Sequence, residues 1–299
     1  MEPHRHHHPD RTAGALVADT LQAWADEQPR LTMLAYNMLG VWAEAQDVVS
    51  AVGEQVLGAK EVRNPAAYLT TLTTRRAIDV LRSARATRTQ YIGPWLPEPV
   101  DERTLPEDAA IRSSMLRVGL LHILEQLPET ARAAYVLHHA LGYTAPQIAQ
   151  VLGSTPAAVR QMLHRAKAKL DAQRATEHDP AKVAGMLDRI IEAINNDDAA
   201  AVASLLHDGA VLYNDGGGII SAARNPVFGS AKVTRFLLGV AQRNPGRVLE
   251  RRIVNGEPAV LFTLPYRTDL LGLELDDGRI RTLWQICNPH KLGSLGLDA

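Results

Sequence analysis

The dipeptide Asp179-Pro180 separates two kinds of sequence that no single core accommodates. Before it, apolar residues return at threes and fours, as on helices: Leu31, Leu34, Met38 and Leu39, then Val48, Val49, Val52 and Val56, then Tyr68, Leu72, Ile78 and Leu81. After it come helical stretches at Lys182 to Asn195 and Ala199 to Leu206. Short β-like runs follow: AVLYN, GII, RVLERRIVN, PAVLFTLPY, LLGLEL and RIRTLWQIC. Gly216-Gly217-Gly218, Asn255-Gly256 and Asp277-Gly278 supply turns between them. The pattern predicts a helical part followed by a separate α+β domain with a curved sheet of antiparallel strands. With 299 residues, 46% of them hydrophobic, the chain is long enough to bury more than one core.

The helical part is itself divided. A first block runs to about residue 90, and Asn64-Pro65 opens its last helix. Residues 91–110 carry Pro94, Pro97, Pro99 and Pro106, with five acids against Arg103, which reads as a stiff, acidic linker. A second block, 111–176, is broken at Leu127-Pro128 and at Gly142. It ends in PQIAQVLG and STPAAVRQMLHRAKAKL, a short helix, a tight turn at Gly153 and a longer helix. In the longer helix Val159, Met162, Leu163, Ala166 and Leu170 form one apolar stripe. Arg160, Gln161, His164, Arg165, Lys167 and Lys169 occupy the other faces. This is the pattern of a helix-turn-helix whose second helix enters a DNA major groove; the plainer alternative is a solvated surface helix.

Charge supports a local nucleic-acid surface, not a global one. Formal net charge is −1, yet Arg75, Arg76, Arg82, Arg85 and Arg88 face only Asp79 within residues 72–91. Cys287 is the sole cysteine, so no intrachain disulfide forms, and a reducing, cytoplasmic location is expected. No apolar run reaches the ~20 residues of a membrane span. No nucleotide-binding or zinc-spaced motif occurs, so neither a cofactor nor a metal is expected. The histidine-rich start, residues 1–14, reads as a disordered leader.

Taken in order, several segments resemble extracytoplasmic-function (ECF) sigma factors of the SigJ type, which carry a SnoaL-like (NTF2-like) C-terminal domain. LTMLAYNMLGVWAEAQDVV and AAYLTTLTTRRAIDVLRSARATR resemble sigma region 2. GPWLPEPV resembles the linker of this subgroup, and the segment from Leu127 to Leu170 resembles region 4. YNDGGG and CNPHKL resemble the two motifs of the C-terminal extension. Ile219, Cys287 and His290 stand where that group usually has lysine, arginine and aspartate. The resemblance implies two all-α sigma domains followed, over 180–299, by an α+β cone. It implies promoter DNA and the RNA polymerase core as partners. Region 2 arginines would hold melted strands, and the linker would thread into the polymerase.

The C-terminal cone admits a second expectation. SnoaL-like domains surround a pocket, and His207, Asp208, Tyr213, Asp215, Tyr266, Trp284 and Cys287 are the candidates to line one here. Such a pocket would take an apolar, polyketide-like small molecule, either as ligand or for cofactor-independent acid-base chemistry of the cyclase or isomerase type. Plainer roles exist for each: Asp215 as a turn residue, Tyr213 and Trp284 as sheet packing, Cys287 as an inert buried thiol. The first expectation is a transcription initiation protein restrained by its C-terminal domain. The second is a sigma-derived protein whose cone has become a binding or catalytic site.

Overall fold

A computed structural model describes residues 10–57, 62, 64–101, 103, 117–171 and 179–296. Most of the expected leader, residues 1–9, lies outside them, as do residues 104–116 of and beyond the acidic linker. In chain order the elements are α1 (Asp10–Leu39), α2 (Trp42–Leu57), α3 (Pro65–Thr89), α4 (Val118–Leu124), α5 (Glu129–Leu141), α6 (Ala145–Leu152) and α7 (Pro156–Asp171). They continue with α8 (Pro180–Asn195), α9 (Ala199–Leu205), β1 (Leu206–Asp215), β2 (Val227–Phe228), α10 (Ser230–Arg243), β3 (Val248–Val254), β4 (Glu257–Leu264), β5 (Arg267–Asp276) and β6 (Arg279–Ile286). The chain groups into two compact units. One runs up to Arg82 and resumes at Glu129–Leu163; the other holds Ser83–Pro128 and everything from His164 onward.

In the first unit α1 and α2 pack through Leu31, Val49, Val52 and Val56, joined by Leu69 of α3. Gly53 permits the closest approach, since a Cβ there would come within 2.6 Å of the Trp24 ring. Trp24 Nε1 donates to the Val49 carbonyl at 3.1 Å. The short helix α6 begins at Thr144, whose backbone N–H donates to Gln147 Oε1 at 2.9 Å. Gly153, left-handed at φ 62°, ends α6, and the Thr155 hydroxyl accepts from Ala158 N at 3.2 Å to start α7.

In the second unit the six strands lie in the order β2-β1-β6-β5-β4-β3. Each face has its own cover. Leu271, Leu273 and Leu275 of β5 join Val183, Leu187, Ile190, Val233 and Leu237 of α8 and α10 on one side. On the other, Leu270 joins Trp284 and Ile286 against Leu96 and Val118, with Leu292 and Leu295 of the C-terminal 3₁₀ turns (Pro289–Lys291 and Gly293–Leu295). A strand buried on both faces reads as a continuous apolar run, which is why LLGLEL does not alternate. Gly272 has no side chain because Trp284 crosses it; a Cβ would lie 1.9 Å from the indole.

Three expectations are corrected. GII is not a strand: Ile219 and Ile220 donate back to the Gly216 carbonyl in a turn set by Gly217 and Gly218 at φ 60° and 74°. The edge strand is instead β2, two residues long. SAKVTRFLLGVAQR forms the unforeseen helix α10, which buries Val233, Leu237 and Leu238. Finally, the strands are not all antiparallel, because β1 pairs in parallel with β6, the three antiparallel strands β3 to β5 and helix α10 lying between them in the chain.

Candidate functional site

The exposed side of α7 is cationic. Val159, Ala166 and Leu170 are at most 1% exposed, while Arg160, Gln161, His164, Arg165, Lys167 and Lys169 all lie at the surface. Lys167 pairs along the helix with Asp171 at 2.5 Å, and Lys169 Nζ donates to the Gln126 carbonyl at 2.6 Å. Arg160, Gln161, His164 and Arg165, about one to two and a half turns from the helix start, therefore form the most outward group. Guanidinium forks and a side-chain amide there suit base edges or phosphate oxygens.

The five arginines of α3 separate into different environments. Arg76, Arg82 and Arg85 are exposed, Arg82 beside Asp79 at 3.4 Å. Arg75 Nε donates to the Val151 carbonyl at 3.0 Å. Arg88 turns inward: it pairs with Glu125 at 2.6 Å and lies over the Trp95 ring, 4.1 Å from its centroid.

Trp95 belongs to a clasp that holds the linker on the sheet. Asp215, at the end of β1, is fully buried. Its carboxylate accepts from the Leu96 backbone N–H (2.9 Å), Tyr91 Oη (2.5 Å), Gly217 N (3.1 Å) and Lys291 Nζ (2.7 Å). Lys291 also donates to the Leu96 carbonyl, and its ammonium lies 4.1 Å from the Trp95 ring centroid. Burial lowers the Lys291 pKa to about 8, against the pull of Asp215. Burial, with Asp215 adding to it, pushes the Tyr91 phenol well up, so Tyr91 stays a neutral donor. Asn288 Nδ2 donates to Tyr91 Oη at 2.9 Å. His122 Nδ1 bonds the Trp95 carbonyl at 3.1 Å and its ring lies 4.5 Å from that of Tyr213. Burial lowers the His122 pKa and keeps the imidazole neutral. Further along, Val100 and Asn255 exchange hydrogen bonds, and Asp101 pairs with Arg252 at 3.0 Å. Gly217 is required where Asn288 closes in: a Cβ would meet it at 2.3 Å.

The cone residues singled out in the sequence do not converge on one cavity. Tyr213, Asp215 and Trp284 belong to the linker side. His207 accepts from Gly209 N at 3.0 Å and lies 3.0 Å from Arg281, and Asp208 is exposed beside it. Tyr266 is 69% exposed and donates to Asn244. Cys287 is buried, its thiol pushed up to about 12 by desolvation, and it donates to Asn214 Oδ1 at 3.3 Å. Sequence reasoning missed Tyr91, Lys291 and Asn288 as individuals, though each sits in or beside a quoted motif. It gave no sign of Asp269 and Gln285, isolated polar residues within apolar strands. Among the described residues no group of three or more His, Cys, Asp or Glu is placed to hold a metal, and no helix is long and apolar enough to cross a membrane.

Residues 24–87 match the family Sigma-70 region 2, and residues 117–170 match Sigma-70, region 4. Over 281 residues the chain is 36% identical to the ECF RNA polymerase sigma factor SigJ of Mycobacterium tuberculosis, covering 87% of this chain and 89% of that one. It is 29% identical to the probable ECF RNA polymerase sigma factor SigI of the same species, covering 91% and 94%. The crystal structure of the M. tuberculosis extracytoplasmic function sigma factor SigJ superposes with a TM-score of 0.75 at 31% identity, covering 91% of this chain and 98% of that one.

Proposed function

The chain belongs to the ECF RNA polymerase sigma factors, and on that premise we propose that α7 reads promoter DNA for the polymerase core while the sheet domain restrains the linker. The observation that carries the first half is the outward placement of Arg160, Gln161, His164 and Arg165 opposite the buried Val159, Ala166 and Leu170. Arg160 and Arg165 act as base-edge or phosphate forks, and Lys167 and Lys169 supply backbone charge. In region 2, Arg75, Arg76, Arg82 and Arg85 contact the melted strands; Arg88 serves the clasp instead, through Glu125 and Trp95. The second half rests on Asp215, whose four donors include a linker amide and a linker phenol.

The test is reconstitution with RNA polymerase core and a promoter selected from random DNA. Arg160→Ala and Arg165→Ala should each weaken specific binding by about 1–3 kcal/mol where the side chain makes a bidentate base contact. Lys167→Ala should weaken all sequences alike and lower the salt dependence. Unchanged affinity in both arginine variants at moderate salt would remove α7 from the interface.

A further inference from the structure

Strand β3 is an outer edge of the sheet, with β4 on one side and no strand on the other among the described residues. Its register with β4 runs unbroken from Val248 to Val254, without the bulge that blunts many edges. Val254 closes a two-residue turn onto Glu257, so its backbone groups face β4, and by alternation those of Leu249, Arg251 and Ile253 face outward. At the turn end the linker covers the edge: the Asn255 N–H donates to the Val100 carbonyl at 2.9 Å, and Asp101 lies opposite Val254. Among the described residues nothing bonds the outward amides and carbonyls of Leu249 and Arg251.

Three of the eight large apolar side chains exposed among the described residues stand on this one strand: Val248, Leu249 and Ile253. The sequence VLERRIV is complementary to itself when reversed about Arg251. In an antiparallel pair of two copies, Leu249 stands opposite Ile253, Glu250 opposite Arg252, and Val248 opposite Val254. Leu249, Arg251 and Ile253, whose backbone groups face outward, then exchange both hydrogen bonds with the residues opposite. Glu250 and Arg252 fall in the other class of pair, where side chains stand closer. Arg252 already pairs with Glu250 of its own strand at 2.6 Å, so the two strands bring four alternating charges into one square. Arg251 meets its like at the two-fold axis, and its guanidinium is drawn aside by Asp188 of α8 at 2.6 Å.

We propose that β3 is a homodimerisation edge, along which two copies join their sheets antiparallel about a two-fold axis at Arg251. Val248 of the second copy takes the place of Asp101, so the linker end and the second copy compete for the edge. Arg252 exchanges Asp101, at 3.0 Å, for Glu250 of the second copy. The strand has seven residues against the ~20–30 a side of a standard interface, so the dimer is weak and forms reversibly with concentration. An unrelated extended peptide would meet the outward backbone groups as well, but the matched order of Glu250 and Arg252 favours a second copy. The inference concerns the sheet domain and does not depend on the promoter reading; its readout is mass, not transcription.

The test is sedimentation equilibrium of the full-length protein at rising concentration, up to about 500 µM. Wild type should show a monomer–dimer equilibrium. Arg252→Glu sets Glu against Glu250 across the axis, and Glu250→Arg sets Arg against Arg252, so each variant alone should remain monomeric. An equimolar mixture of the two restores both opposite-charge pairs and should associate at least about tenfold more tightly than either alone. Leu249→Lys changes an exposed side chain and should weaken the wild-type dimer about tenfold, which keeps the test decisive if a charge variant does not fold. Three results would overturn the proposal: wild type monomeric throughout the range, a mixture no tighter than its components, or undiminished association of Leu249→Lys. The second would mean that copies meet through another surface or register.

Discussion

Asp215 and Lys291 form an ion pair with almost no access to solvent, side chains 0% and 10% exposed. Such a pair is not stabilising merely by existing, because taking both charges out of water costs several kcal/mol each. Here the remaining lone pairs of Asp215 are filled by Tyr91, Leu96 and Gly217, so the penalty is offset and the geometry is fixed. Removing one partner should therefore cost more than the pair contributes: Lys291→Met should lower stability by about 3–5 kcal/mol in urea unfolding. A loss below about 1 kcal/mol would mean that Asp215 finds another cation or takes up a proton. His122 makes a prediction in pH. Its folded pKa lies below the ordinary value, so the stability it contributes is fully present above about 6.5 and is lost as pH falls from there toward the folded value. The charges around it are Glu125, Lys291 and Asp215. Wild type should lose stability relative to His122→Phe between about pH 7 and pH 5.5, read as the difference of melting temperatures. Parallel curves would show that His122 does not titrate in that window.

Elements whose signals are local were legible. The helix-turn-helix is marked by Thr144, Gly153 and Thr155 at fixed offsets from an apolar stripe, and each of these has a hydrogen bond or a dihedral behind it. Gly153 shows how much the element depends on one of them. A β-branched residue at φ 62° carries a left-handed penalty of about 1–2 kcal/mol, so Gly153→Val should destabilise by that amount and Gly153→Asn by less. Thermal unfolding of both variants checks it, and equal melting temperatures would place the turn constraint elsewhere. Elements whose signals are non-local were not legible. GII has the composition of a strand, but its glycines turn back on Gly216 before a strand can extend. The helical spacing of Val233, Leu237 and Leu238 was present in the sequence and was masked by the β-rich segments on either side. Asp215 looked like a turn residue because Tyr91, Leu96 and Lys291 lie 124, 119 and 76 positions away. Asp269 had no local mark of its burial; Gln285, which donates to it at 2.9 Å, lies 16 positions away on another strand.

At the scale of the molecule, the reading proposed above gives the linker two uses that exclude each other. The ECF resemblance gives it to the polymerase, whereas here Tyr91, Leu96, Val100 and Asp101 are held on the sheet domain. On that proposal, engagement of polymerase by the linker requires the clasp to open. Burying Leu96 contributes about 1.5–3 kcal/mol and a hydrogen bond to a charged group about 1.5–3 kcal/mol, against about 1–2 kcal/mol for each linker residue that is ordered. Each 1.4 kcal/mol taken from that balance raises the open fraction about tenfold while it remains small. Tyr91→Phe removes the bond to Asp215 and the one from Asn288 without removing the ring beside Lys291. It should make the linker about tenfold more sensitive to limited proteolysis and raise transcription by reconstituted polymerase at limiting sigma concentration. Asn288→Ala, which loses the second bond and the one Asn288 Oδ1 accepts from His290 N at 3.1 Å but keeps that between Tyr91 and Asp215, should do the same to a smaller extent. The two readouts must move together. A linker that is cut faster while transcription stays constant or falls would mean that the clasp is part of the active form, and that the sheet domain supports initiation instead of restraining it.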